Sequence, residues 1–139
     1  MGVAYKGGCS CGSVRYEIPS EPFFANHCHC DTCQGRSGTG HGSNAAFMAD
    51  GLQLEGRTST WDVPTESGDT KSHAFCGACG SPLYLTLANQ PGIFIIHAAS
   101  LDDPERYVPQ AVTYAANALS WDKPDPALTR FEKMPPAPE

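Results

Sequence analysis

All seven cysteines of this chain fall in three tight groups: Cys9-Ser10-Cys11, Cys28-His29-Cys30-Asp31-Thr32-Cys33 and Cys76-Gly77-Ala78-Cys79. Any fold of this sequence has to accommodate thiols two and three residues apart. Such spacing suits a metal ion, whose ligands converge on one point, better than it suits disulfides. The cysteine count is odd, so a disulfide scheme leaves one thiol over. Soft thiolates in a redox-silent setting favour zinc. An iron–sulfur cluster is the other metal reading that thiolates allow.

The segments between these groups read as short strands. Val14, Tyr16 and Ile18 alternate with Ser13, Arg15 and Glu17, the period of a half-buried strand. Residues 23–29 form a second predicted strand that delivers Cys28 and Cys30 from its end. Residues 31–38 then make a tight turn or a single helical turn carrying Cys33. Further strands are predicted over 43–48, 52–56, 58–63, 71–75, 83–87, 93–97 and 110–114, with turns at 49–51, 66–69 and 89–92. Cys9 and Cys11 are placed on an extended strand that curls between Gly8 and Gly12. Trp121 and Phe131 are expected to anchor an irregular C-terminal segment. With no sustained helical period the fold class is mostly β. One zinc-bearing domain is expected over 1–131, followed by a flexible proline-rich tail over 132–139.

Composition excludes several partners. The most apolar run, Ile93-Phe94-Ile95-Ile96, is far short of the ~20 residues of a membrane helix. The first six residues carry no apolar signal region, so the expected location is the cytoplasm, where disulfides are disfavoured. The formal net charge is −6, and the nine Lys and Arg are scattered. A nucleic-acid binder would present a basic patch, so neither nucleic acid nor membrane is an expected partner. Exposed strand edges are compatible with a monomer or a homodimer.

Three motifs together resemble one family. They are Gly8-Cys9-Ser10-Cys11-Gly12; Cys28-His29-Cys30-Asp31-Thr32-Cys33 with Ser37-Gly38; and Phe75-Cys76-Gly77-Ala78-Cys79-Gly80-Ser81-Pro82-Leu83-Tyr84. They are similar to the glutathione-dependent formaldehyde-activating enzyme family, which includes the centromere protein V domain. Ser100-Leu101-Asp102-Asp103-Pro104, Pro109 and Trp121 resemble its C-terminal signature, and the likeness runs over roughly residues 5–131. The resemblance implies a β-tent of short antiparallel sheets held together by two zinc ions. Cys9, Cys11, Cys76 and Cys79 would form a structural site, and Cys28, Cys30 and Cys33 a functional, catalytic one. The implied activity is addition of glutathione to formaldehyde to give S-(hydroxymethyl)glutathione, a carbon–sulfur lyase reaction. Glutathione or another thiol is then co-substrate to an aldehyde. His29 and Gln34 stand where formaldehyde-acting members carry Gly and Trp, so the zinc chemistry transfers more firmly than the substrate.

Ligand counting supports the same partition. A closed structural zinc takes four protein ligands, and the first and last groups supply four thiolates. The opposite pairing, joining the middle group to Cys76 and Cys79, leaves only Cys9 and Cys11 for a second ion. The middle group could also close by taking His27, His29 or His41 as a fourth ligand, although His29, between two ligands, points to the other face of a strand. His73 and His97 read as ordinary strand residues. Phe47, Trp61 and Tyr84 are pocket or core aromatics. Arg36 is the one cation near the middle group and is the candidate contact for a carboxylate of a glutathione-like ligand. The alternative function is a non-catalytic thiol carrier or protein-interaction module. A reductase with a nucleophilic cysteine is disfavoured because every cysteine is claimed by a metal group.

Overall fold

The computed structural model describes residues 3–135. Among the described residues, eleven strands form two sheets, with one short α-helix and three 3-10 turns between them. The small sheet joins β1 (Tyr5–Gly8), β2 (Arg15–Ile18) and β5 (Gln53–Glu55) in the order β1-β2-β5. The large sheet contains β3 (Phe24–Cys28), β4 (Gly42–Met48), β6 (Thr58–Pro64), β7 (Thr70–Cys76), β8 (Pro82–Leu87), β9 (Gln90–His97), β10 (Ala111–Thr113) and β11 (Thr129–Arg130). Its order is β11-β10-β3-β4-β9-β8-β7-β6. Pairing is antiparallel except at β10, which runs parallel to both β3 and β11. The helix α1 spans Asp31–Ser37.

The strands use both faces of the large sheet differently. Ala25, Ala45, Phe47, Phe94, Ile96, Ala74 and Tyr84 turn to one side and meet Tyr5, Val14, Tyr16 and Ile18 of the small sheet. Tyr5 packs edge-on against Phe47 at 5.1 Å between ring centroids, and Tyr84 meets Phe94 at 4.5 Å. Each such side chain contributes about 1.5–3 kcal/mol of apolar burial. The alternate residues Asn26, Cys28, Asn44 and His97 take the other face, where α1 lies. Pleat period two therefore puts the core and the chemistry on opposite sides of the same strands.

Several expectations shift in detail. Residues 31–37 make a full short helix rather than one turn. The hairpin turn expected at 89–92 is the pair Ala88-Asn89, and β9 resumes at Gln90. The buried Asp69 carboxylate accepts from the amides of Thr70 and Asn89, both at 2.8 Å, which holds this tighter turn. Trp121 is not an anchor: it stands 67% exposed. The backbone does the anchoring instead, with Phe131 N donating to Val112 O at 2.9 Å. Of the proline-rich tail expected over 132–139, residues 136–139 lie outside the described residues. The carbonyls of Glu132 and Lys133 accept from the amides of Ala116 and Tyr114. Among the described residues, no helix is long and apolar enough to cross a membrane.

Candidate metal centres

The seven cysteines, all free thiols, gather into two groups. The sulfurs of Cys9, Cys11, Cys76 and Cys79 all lie within 4.8 Å of one another. Cys9 to Cys11 is 3.6 Å and Cys11 to Cys76 is 3.7 Å. A tetrahedron with Zn–S of about 2.3 Å has S···S edges of about 3.8 Å. The donor set therefore fits a zinc ion.

Local structure aims these sulfurs. Cys9 and Cys11 are not on an extended strand. The chain turns after β1, with Gly12 at φ 81°, a left-handed conformation that suits glycine. Val14 N donates to Cys9 Sγ at 3.3 Å and Cys79 N to Cys76 Sγ at 3.5 Å. Backbone donors to sulfur favour the thiolate that a metal needs. The Ser81 hydroxyl, 3.2 Å from Cys79 Sγ, holds that thiol down at about 5. Ser81 also accepts from Ser10 N at 3.0 Å and so links the two cysteine loops.

The second group is Cys28, Cys30 and Cys33, again with all sulfurs within 4.8 Å. Cys28 ends β3, Cys30 caps α1, and Cys33 sits in the helix's first turn. Cys33 N donates to Cys30 Sγ at 3.4 Å, the same Cys-x-x-Cys turn seen at Cys76 and Cys79. Hydrogen bonds from Cys28 and then Cys33 pull the Cys30 thiol down, while hydrogen bonding to their neighbours in the trio pushes Cys28 and Cys33 up. Cys28 and Cys33 are buried and Cys30 is half-buried.

Among the described residues, no imidazole nitrogen or carboxylate oxygen joins this trio. His27, His29 and His41 lie together instead, with ring centroids 4.6 Å (His27–His41) and 5.0 Å (His29–His41) apart. His27 alternates with Cys28 along β3 and faces away from it. His41 Nδ1 meets Asp122 Oδ2 at 2.7 Å.

Two clefts of about 360 Å³ each flank α1. Cys30 opens into the first, with Val63, Lys71, Tyr114, Asn117 and Lys133. Tyr114 there has φ 53°, a left-handed conformation that costs a non-glycine about 1–2 kcal/mol. Gln34 donates to His29 O at 2.8 Å and Asn117 O at 3.0 Å, strapping α1 to this wall. The second cleft is lined by Arg36, His41, Gly42, Ser43, His97 and Ser100, among others. Arg36 therefore lines a different cleft from Cys30, and its guanidinium stacks over Phe75 at 5.5 Å.

Three polar residues near the trio have no strong signature in the sequence. Asn44 Nδ2 donates to Cys33 Sγ at 3.9 Å, and Asn44 Oδ1 meets His97 Nδ1 at 3.2 Å. His73 is 1% exposed, stacks on Trp61 and has neither ring nitrogen bonded. Burial and then Arg36 hold both His73 and His97 down at about 4, so both are neutral at pH 7. Polar residues at inward positions of apolar strands are the one signal that could have marked them.

The fold resembles a crystal structure of a Rhodobacter sphaeroides protein, with a TM-score of 0.59 over 78% of this chain and 99% of that one, at 23% identity. The family model for the glutathione-dependent formaldehyde-activating enzyme matches residues 4–117, which carry every cysteine of both groups. On that match, the chain belongs to the glutathione-dependent formaldehyde-activating enzyme family.

Proposed function

We propose that this protein is a zinc enzyme that joins a thiol to a small aldehyde, or parts the two, a carbon–sulfur lyase of the glutathione–formaldehyde type. The observation that carries this reading is the trio itself: three converging sulfurs, no fourth protein ligand among the described residues, and Cys30 opening into a cleft of about 360 Å³. Cys28, Cys30 and Cys33 would hold one zinc, and Cys9, Cys11, Cys76 and Cys79 the other. A zinc held by three thiolates carries a net charge of −1, is a poor acid toward water, and supplies its chemistry by deprotonating a bound thiol.

The chain's own residues would do the rest. Lys71 and Lys133 line the cleft beside Cys30 and offer cations to the carboxylates of a peptide thiol. Arg36, which lines the cleft on the other side of α1, would be a further cation for a carboxylate of the thiol ligand. Burial of Cys28 and Cys33 keeps bulk water from the reacting sulfur. The four-cysteine group would hold the two sheets in register without contacting substrate. Free thiols throughout suit a reducing cytoplasm, as a monomer or homodimer.

The test is a native mass spectrum of the reduced protein with and without glutathione, followed by rates of adduct formation with formaldehyde. Two zinc ions, a bound thiol and a faster rate, all but one zinc lost in Cys30→Ser, support the reading. Full activity in a Cys30→Ser protein that has lost the second zinc would sink it.

A further inference from the structure

Among the described residues, six buried side-chain polar atoms have no hydrogen-bond partner, and four of them belong to His73, His97 and Arg36. Arg36 and His97 line the second cleft, and Arg36 is the main charge felt by both imidazoles. Buried polar atoms without partners are costly, so such a concentration marks a place built for a polar ligand. This layer is not remote from the trio. Gly42 lines the same cleft, and a Cβ placed on it would sit 3.2 Å from Cys33 Cβ and 3.4 Å from Cys33 Sγ. Cys33 therefore packs directly against the Gly42 backbone that forms one wall of this cleft.

The hydrogen-bond chain from Cys33 fixes which ring nitrogen of His97 carries the proton. A metal-ligating sulfur only accepts, so the amide nitrogen of Asn44 faces Cys33. Asn44 Oδ1 is then left toward His97, and it can only accept. His97 Nδ1 must therefore donate, which leaves Nε2 with its lone pair free, buried and unpartnered. The register supports this arrangement, since Asn44 and His97 are direct cross-strand partners of β4 and β9. Arg36 lines the same cleft, and its Nε–H is likewise buried and unpartnered. An unpartnered acceptor and an unpartnered donor on residues of one cleft suit a hydroxyl group, which can satisfy both.

We propose that His97 Nε2 is the proton acceptor for the hydroxyl of the thiol–aldehyde adduct, with Asn44 holding the acceptor tautomer and Arg36 Nε donating to the same oxygen. This rests on the function proposed above and assigns to it a residue that no cysteine motif points to. When the adduct breaks, the C–S electron pair leaves with sulfur, the O–H pair becomes the second C–O bond, and the proton rests on Nε2. When it forms, the proton lost by the thiol returns from Nε2 to the carbonyl oxygen as the C–S bond closes. Electrons and protons balance, and no further reactant is needed. The low basicity of the buried ring keeps it neutral in waiting and makes its protonated form a ready donor to the nascent oxyanion.

The experiment has two arms on the zinc-loaded protein. The first is ¹⁵N NMR of the His97 ring, assigned through bonds from the backbone of the unmodified protein. The expected result is an Nδ1–H tautomer with bare Nε2, converting toward Nε2–H in Asn44→Leu. The second is the rate of adduct formation from glutathione and formaldehyde in His97→Gln. There kcat should fall at least about tenfold, with zinc content and glutathione KM unchanged. An Nε2–H tautomer in the unmodified protein, or a smaller fall in kcat, overturns the role of His97 while leaving thiol–aldehyde chemistry standing. An unmodified protein that binds two zinc ions yet does not accelerate adduct formation overturns the proposed function and this role with it.

Discussion

The two cysteine groups share a Cys-x-x-Cys turn and differ in everything around it. Cys9 and Cys11 come from one loop, and Cys76 and Cys79 from the end of β7 and the turn after it, more than sixty residues away, so their convergence is a tertiary event. Cys28, Cys30 and Cys33 arise within one strand–helix junction and meet almost whatever the rest of the chain does. The first group offers four sulfurs and has Cys11 and Cys79 in solvent; the second offers three, with only Cys30 reaching a cleft. A site that ties distant segments can afford exposure because its product is connectivity. A site that handles a reactive thiol gains from burial and an open ligand position.

Mutation of one cysteine in each group is the most direct way to break that contrast. Cys76→Ser should unfold the protein or lower its melting temperature by well over 10 °C, because metal binding at a closed site is folding free energy, on the order of 10 kcal/mol. Circular dichroism melts with zinc counts would show this. Cys30→Ser should do the reverse, losing one zinc and about 100-fold or more in adduct formation while the melt falls by only a few degrees. If Cys30→Ser unfolds the protein and Cys76→Ser does not, the two groups have been assigned the wrong way round.

Acid titration sharpens the same contrast at the layer beside the trio. His73 is held at about 4 when folded and returns to about 6.5 when unfolded. Its contribution is complete above pH 6.5 and is lost as the pH falls toward 4, because the unfolded chain takes up the proton first. In zinc-loaded protein, denaturation midpoints of His73→Phe should decline less steeply across that window than those of the parent, a difference on the order of 2 kcal/mol. Equal slopes would mean that the ring is solvated. The smallest effect belongs to the bidentate Arg15–Asp102 pair, which also joins β2 to a distant loop. Both side chains are largely in solvent, so Arg15→Ala should cost under about 1 kcal/mol and less still in high salt. A larger loss would mean that this ion pair shares the tying assigned to the four cysteines.

The cysteine groups and most strands are legible in the sequence because their signals are local: ligand spacing, and alternation as clean as Val14, Tyr16 and Ile18. The mostly β class follows from the same alternation. What the sequence does not show is whatever depends on register. Asn44 and His97 are 53 residues apart and become partners only through the pairing of β4 with β9. Arg36 is conspicuous as the lone cation near the trio, yet which cleft it lines depends on how α1 lies on the sheet. Trp121 looks like an anchor by its chemistry and stands in solvent, because backbone hydrogen bonds around residues 112–116 and 131–133 already fix that segment.

The order of strands in the large sheet also fixes an order of birth. The four-cysteine group is complete in sequence once Cys79 has been synthesised, when β6 and β7 can already pair beside it. The strand that carries Cys28 must wait for β10, contributed by residues beyond 110, before its outer edge is covered. During translation the trio thus sits on a naked sheet edge, the kind of surface that pairs with other chains. The growing polypeptide brings the trio together first and covers the strand that carries it last.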